Sequence, residues 1–164
     1  MVAICSSRTH IVWALRAGGR QGAGNDPRYT KTRTFDPFPF PDADETMQAK
    51  LRAAGEELDA ARKKVQADNP DLALTELYNV LAKVKEGGAL TNGEEEAKRR
   101  GLVLILKELH DDIDRLTAEA YGWRADPTDN QILERLVALN AERVKEVYEQ
   151  QSIEPDQTKR KQLV

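Results

Sequence analysis

Apolar residues recur every three or four positions along most of the chain after residue 42. The first such run is spaced 4-3-4-3-4, which is typical of one buried face on an α-helix of about five turns. It consists of Met47, Leu51, Ala54, Leu58, Ala61 and Val65. Asp42 or Asp44 precedes this run, and either carboxylate could accept a hydrogen bond from an amide of the first turn and so cap the helix.

A second helix is predicted between Pro70 and a pair of glycines. Asn69 is in the position of an N-cap, and Pro70 suits the first helical residue because that residue needs no N–H. Gly87 and Gly88 favour the end of the helix. The apolar positions of this segment are Leu74, Leu77, Tyr78, Leu81 and Val84.

Two capping-box sequences predict the starts of a third and a fourth helix. Thr91 is followed by Glu94, and Thr128 is followed by Gln131, which is the spacing at which the two side chains cap each other's backbone amides. The third stripe is Leu102, Ile105, Leu106, Leu109, Ile113, Leu116 and Ala120, and Gly122 ends it. The fourth stripe is Ile132, Leu133, Leu136, Leu139, Val144 and Val147.

The first 41 residues follow a different pattern. They hold all three phenylalanines and four of the seven prolines. Ser6 or Ser7 could cap a short helix over 9–17, and the alternating, threonine-rich stretch 29–35 is typical of a strand. The three prolines in 36–41 favour an extended backbone. Neither the strand nor the phenylalanines have an evident partner, so we expect 1–41 to be poorly ordered or loosely docked.

These patterns predict a mainly α protein. Residues 42–150 are expected to form a helical bundle or array of about four helices. A short α/β segment, residues 1–41, precedes it. Periodicity is lost from about residue 150, which predicts an irregular tail over 151–164.

Charge divides the chain at the same place. Residues 1–41 carry six basic and two acidic side chains, and because the whole chain carries −3, the remainder carries −7. The basic segment could meet phosphate, although the six charges taken alone are better explained by ordinary solvation. A single cysteine, no apolar start of signal-peptide length and no membrane span predict a cytoplasmic protein.

No catalytic, cofactor-binding or metal-binding motif is complete. The glycines of 18–24 do not have phosphate-loop spacing, and 25–28 lacks the aromatic residue that an adenine pocket requires. Asp71, Glu96 and Lys98 have the spacing of a nuclease core, but they fall at predicted helix starts, where acidic residues are expected anyway. His10 and His110 are interpreted as surface or helix-packing residues.

Several segments, in a fixed order, closely resemble MmeI-like (type IIL) restriction–modification DNA methyltransferases. Residues 6–19 and 25–41, with the Phe-Pro-Phe-Pro run at 38–41, resemble the end of that family's target-recognition region. The segments that resemble its helical C-terminal domain are 71–81, 101–103, 108–114, 119–123 and 132–143. The resemblance covers roughly residues 6–148.

The resemblance implies a parent enzyme that transfers a methyl group from S-adenosylmethionine to N6 of adenine in double-stranded DNA. That family's catalytic core lies upstream of the matching segments, so the resemblance assigns no catalytic residue and no cofactor to this chain. The missing methyltransferase portion is an implied partner. The residues that match the family's basic segment, and that are therefore candidates for DNA contact, are Arg28, Tyr29, Lys31, Thr32 and Arg33.

Three functions remain open on the sequence. The chain could be a C-terminal fragment of the methyltransferase that contributes to DNA target recognition and is inactive alone. It could instead be a stand-alone helical interaction module that binds a partner protein, or DNA weakly. The third possibility is a small enzyme whose site has no recognisable motif.

Overall fold

A computed structural model of the protein describes residues 2–23, 26–124 and 127–160, with side chains as far as 149. It is mainly helical with one short two-stranded sheet, which confirms the predicted fold class. Its contacts form two compact units: one comprises the described residues of 1–11 and 41–126, and the other those of 12–40 and 127–164. The functional domains assigned along the sequence stay predictions.

The first unit is built from helices. They are α1 (Val2–Cys5), the start of α2 (Arg8–Ala17), α3 (Glu45–Asp68), α4 (Leu74–Lys85), α5 (Asn92–Arg100) and α6 (Val103–Ala120). One buried cluster joins the end of α3 and the start of α6 to α4 and α5. The fully buried members are Val65, Leu77, Val80 and Val103, with Leu72, Leu81 and Ala97 beside them. Members of the first two predicted stripes, Val65, Leu77 and Leu81, therefore share one buried cluster.

Helix α3 begins where the sequence predicts. Asp44 is the cap, and its carboxylate accepts a hydrogen bond from the Met47 amide at 2.7 Å. Between Leu51 and Leu58 the buried residue is Gly55, and not the neighbouring Ala54 of the predicted stripe. A Cβ on Gly55 would lie 3.2 Å from the Ala3 nitrogen, so glycine lets α1 approach α3 closely. Helix α1 was not predicted from the sequence.

The predicted start of the second helix at Pro70 is wrong, because Asn69 ends α3 instead of opening α4. The Asn69 side-chain amide donates to the Val65 carbonyl at 3.1 Å and to the Arg100 carbonyl at 3.2 Å. Its oxygen accepts from Arg100 Nε at 3.0 Å. Because the Asn69 side chain makes these contacts with α5, it does not cap the first turn of the next helix. Helix α4 begins only at Leu74.

The predicted third helix is two helices, broken at Gly101. Its capping box is confirmed: Thr91 and Glu94 cap each other's amides at the start of α5. A Cβ on Gly101 would overlap Leu77 Cδ2 and lie 2.8 Å from the Ala97 carbonyl oxygen, so only glycine fits here. Gly101 itself has a negative φ, and the left-handed turn falls on Leu102, at φ 50°. A left-handed leucine costs roughly 1–2 kcal/mol.

The second unit contains the end of α2, strands β1 (Gly19–Gln21) and β2 (Asp26–Arg28), a π-helix (Lys31–Phe35) and α7 (Asp129–Arg160). The predicted strand over 29–35 is wrong. Most of that stretch forms the π-helix, in which the Asp36 amide donates to the Lys31 carbonyl at 2.9 Å. The strands lie just before it and pair with each other in antiparallel fashion.

Helix α7 is longer than the sequence predicts. The capping box at its start is confirmed by hydrogen bonds in both directions between Thr128 and Gln131 (2.9 and 3.3 Å). The helix then continues to Arg160, so the irregular tail predicted from 151 is wrong as far as that residue.

None of the helices in the described part of the chain combines the length and the apolar character needed to cross a membrane.

Candidate nucleic-acid interface

Trp13 anchors the π-helix that carries three of the candidate DNA contacts. Its indole Nε1–H donates to the Thr34 carbonyl at 2.8 Å, and both residues are buried. This carbonyl has no helical donor, because Pro39, five residues on, lacks an N–H and the Phe38 amide donates to Phe35 instead. The tryptophan therefore satisfies a buried acceptor that the proline-rich sequence leaves open.

The three phenylalanines pack together, which corrects the expectation that they lack internal contacts. Phe38 is buried and meets the ring of Trp13 edge-on, with 6.0 Å between the centroids. Phe40 makes similar edge contacts with Phe38 (4.8 Å) and Phe35 (5.4 Å). Arg143 of α7 donates to the Phe40 carbonyl at 2.7 Å. The Phe-Pro-Phe-Pro run is thus part of a packed aromatic cluster, not an exposed strip.

Two consecutive glycines, Gly18 and Gly19, lie where α2 meets the hairpin formed by β1 and β2. A Cβ on Gly18 would lie 2.6 Å from the Ala14 carbonyl oxygen and 2.9 Å from that of Arg28. The missing side chain therefore lets the hairpin sit tightly against the end of α2. At Gly19 the space is open, and the closest neighbour of a Cβ there would be the Arg33 guanidinium, at 3.9 Å.

Arg28 and Arg33 lie on the same face of this hairpin. Gly19 and Arg28 are paired across the two strands, and residues directly opposite each other in an antiparallel pair project to the same side. The Arg33 guanidinium lies 3.9 Å from the position of a Cβ on Gly19, and so on that side too. Within the part of the chain that the structure describes, neither arginine forms an ion pair.

The other candidates are arranged differently. Lys31 is paired with Asp36, with 2.6 Å between Nζ and the carboxylate, so its charge is already compensated. Tyr29 and Thr32 are exposed. A strand over 29–35 would have placed Lys31 and Arg33 on the same face, but both residues are in the π-helix, where side chains do not alternate between two faces. The sequence did not predict that Gly19 would be the common neighbour of Arg28 and Arg33. No local sequence pattern indicates this position.

A second cluster of polar groups surrounds the buried His110 in the first unit, and its other members are partly buried. Arg62 Nε donates to the Tyr78 hydroxyl at 2.6 Å, and that hydroxyl lies 2.8 Å from His110 Nε2. The backbone of Ser6 hydrogen-bonds the imidazole as well. Burial, helped by the charges of Arg62 and Lys85, lowers the pKa of His110 to about 4. The imidazole is therefore neutral and ties α4 to α6, which confirms a helix-packing role.

This shifted pKa predicts a loss of stability in mild acid. Because the folded protein holds the His110 pKa far below 6.5, the unfolded chain binds the proton first. The free energy of unfolding should therefore fall between pH 6.5 and about pH 4, by at most about 1.4 kcal/mol per pH unit. Thermal unfolding followed by circular dichroism from pH 7 to pH 4.5 measures this loss.

The matched control is His110→Gln, which can still accept from Tyr78 but does not titrate. We expect a shallower pH dependence in this variant. His10, whose pKa burial also lowers, and Asp114, whose pKa burial raises, remain in both proteins and cancel in the comparison. Equal slopes for the wild type and the variant would contradict the assignment to His110.

The other motif residues that the structure describes take part in secondary structure or surface contacts. Residues 19–21 of the glycine-rich segment are strand β1, while 24 and 25 lie outside the described residues. Asp71 accepts a hydrogen bond from Arg100 at 2.6 Å, and this contact lowers its pKa. No group of three histidine, cysteine or acidic side chains in the described ranges could hold a metal ion.

Comparisons with family models, with curated proteins and with solved structures found no match to this chain.

Proposed function

We propose that this chain is the C-terminal part of a site-specific adenine-N6 DNA methyltransferase and contributes to its DNA target recognition. The observation that carries the proposal is the pair of unpaired arginines, Arg28 and Arg33, on one face of the hairpin. The resemblance of 6–19 and 25–41 to a target-recognition region supplies the enzyme class. Catalysis and S-adenosylmethionine binding belong to the upstream portion of such an enzyme.

The chemistry of two guanidinium groups on one face favours a phosphate backbone as the ligand. Each group can donate two parallel hydrogen bonds to the oxygens of one phosphate. The surrounding residues 12–40 add to the attraction, since they carry five basic and two acidic side chains. Phosphate contacts of this kind set the register of a protein on DNA, while other groups read the bases. We therefore assign a positioning role to Arg28 and Arg33.

A single substitution at Gly19 tests this assignment. Gly19→Asp places a carboxylate opposite Arg28 and next to the Arg33 guanidinium, where it should act as an internal counterion. Gly19→Asn has nearly the same shape but no charge. We expect the aspartate variant to lose at least tenfold in affinity for a duplex of random sequence, and the asparagine variant to lose less than threefold. Fluorescence anisotropy at low salt measures both.

A salt series gives the number of phosphate contacts. Two contacts predict that log affinity falls by about 1.8 per decade of salt for the wild type, and by almost nothing for the double variant Arg28→Ala, Arg33→Ala. The control is Arg52→Ala with Arg115→Ala, which removes the same charge from helices of the first unit. If this control weakens binding as much as the arginine pair does, the interface is not at the hairpin.

The methyltransferase part of the proposal needs a second readout. The catalytic portion of an MmeI-like enzyme, prepared without its own C-terminal region, should methylate adenine in DNA only after this chain is added. The Gly19→Asp variant should restore less activity than Gly19→Asn. Methylation that is independent of the added chain would refute a role in that enzyme class, and DNA binding measured by anisotropy would be unaffected by that outcome.

A further inference from the structure

An apolar pocket lies on the surface of the first unit, at the junction between α5 and α6. It has a volume of about 270 Å³. Its lining residues are Glu95, Lys98, Arg99, Leu102, Leu104 and Ile105. Leu104 and Ile105 are about half exposed, at 53% and 47%, and Leu102 is 37% exposed. Three adjacent large aliphatic side chains open to water are unusual on a helix whose other face is fully buried.

The backbone itself holds these side chains outward. Gly101 is packed against Leu77 and cannot carry a side chain, so the chain reverses at the next residue. Leu102 therefore adopts the left-handed conformation that a glycine usually adopts, and its side chain lines the pocket. Strained residues of this kind persist where the surrounding structure fixes them, and they are concentrated at binding sites.

The rim of the pocket carries one uncompensated positive charge. Lys98 is paired with Glu95 at 3.2 Å. Arg99 is exposed, and it forms no ion pair among the residues that the structure describes. An apolar pocket beside a lone guanidinium is complementary to an apolar side chain with a neighbouring carboxylate.

We propose that this pocket docks a segment of a partner protein that carries a large apolar residue and, about one helical turn away, an aspartate or glutamate. The apolar side chain fills the space between Leu102, Leu104 and Ile105, and the carboxylate pairs with Arg99. A symmetric contact between two copies of this chain is disfavoured, since it would bring two Arg99 guanidinium groups together. The inference does not depend on DNA binding.

Selection from a phage-displayed library of random 12-residue peptides tests the proposal. The full-length wild type is the bait, and the Leu104→Ser variant removes binders that do not use the pocket. We expect a consensus with a leucine, methionine or aromatic residue and an acidic residue three or four positions away. The absence of enrichment, or a consensus without an acidic residue, would overturn the proposal.

Affinities of the selected consensus peptide, labelled with fluorescein, then locate the contact. Arg99→Glu should weaken binding at least tenfold, whereas Arg115→Glu should leave it unchanged. Arg115 is the control because it is an arginine on α6, the helix that supplies Leu104 and Ile105 to the pocket, but it does not line the pocket and already pairs with Asp112 and Glu119. Equal weakening by the two changes would show a general charge effect and overturn the site.

Leu102→Gly separates binding from folding. Glycine adopts the left-handed conformation without strain, so this variant should unfold at a temperature equal to or higher than that of the wild type. It should nevertheless bind the peptide at least fivefold more weakly, because the pocket loses one wall. Undiminished binding would overturn the proposal. Sedimentation of the wild type as a dimer that Leu104→Ser dissociates would also overturn it, in favour of a second copy as the occupant.

Discussion

Replacing Trp13 with alanine is expected to lower the free energy of unfolding by about 3–5 kcal/mol. The indole is buried and makes an edge contact with Phe38. Its removal leaves a cavity and also leaves the buried Thr34 carbonyl without its donor. Because Thr34 is in the π-helix that positions Arg33, affinity for DNA should fall as well. Urea unfolding followed by far-ultraviolet circular dichroism gives the stability change.

Trp13→Phe separates packing from hydrogen bonding. The phenyl ring retains most of the apolar contact with Phe38 but cannot donate to Thr34. We expect a loss of about 1–3 kcal/mol, the cost of an unsatisfied buried acceptor. If the phenylalanine variant were as unstable as the alanine variant, packing against the aromatic cluster would contribute little and the hydrogen bond would dominate.

The structure confirms the sequence predictions that depend on local hydrogen bonds. Asp44, the Thr91–Glu94 box and the Thr128–Gln131 box all cap the helices that they were expected to open. Each of these contacts joins residues three positions apart, so the sequence alone contains both partners. The wrong assignment of Asn69 has the opposite cause, because its side chain is held by Arg100, 31 residues away.

The candidate interface was predictable in its charges but not in its geometry. Arg28 and Arg33 stand out as basic residues in a stretch that resembles a recognition region. The threonine content and the alternation of 29–35 favoured a strand. In the structure most of this stretch is a π-helix, which Trp13 contacts through Thr34 and beside which Phe38 packs. The role of Gly19 follows only from its cross-strand pairing with Arg28, and a register of this kind cannot be read from composition.

At the pocket between α5 and α6, hydrophobic periodicity alone also predicted burial incorrectly. Leu102 and Ile105 belong to a continuous stripe in the sequence, and the stripe predicts that they are buried. The break at Gly101 changes the direction of the backbone, so that Leu106 and Ile113 are buried while Leu102 and Ile105 remain at the surface. The backbone changes direction at Gly101 because only glycine fits beside Leu77. These two residues are 24 positions apart in the sequence, so periodicity does not reveal their contact.

The close packing of Gly101 against Leu77 predicts a second large loss of stability. Gly101→Val should lower the free energy of unfolding by about 3 kcal/mol, the upper part of the usual range for overpacking. Its Cβ would overlap Leu77 Cδ2, and it would also lie 2.8 Å from the Ala97 carbonyl, which is backbone and cannot rotate away. The matched control is Gly93→Ala in α5, where a Cβ meets nothing within 4 Å. Alanine there should stabilise the helix by roughly 0.5–1 kcal/mol.

A double-mutant cycle identifies the neighbour responsible. Leu77→Ala alone should cost about 2–5 kcal/mol, because it empties the centre of the buried cluster. Combined with Gly101→Val, it also removes the atom with which the valine collides. The double variant should therefore be more stable than the sum of the two single losses predicts, by at least about 1 kcal/mol. Strict additivity in urea unfolding would contradict the close packing of Gly101 against Leu77.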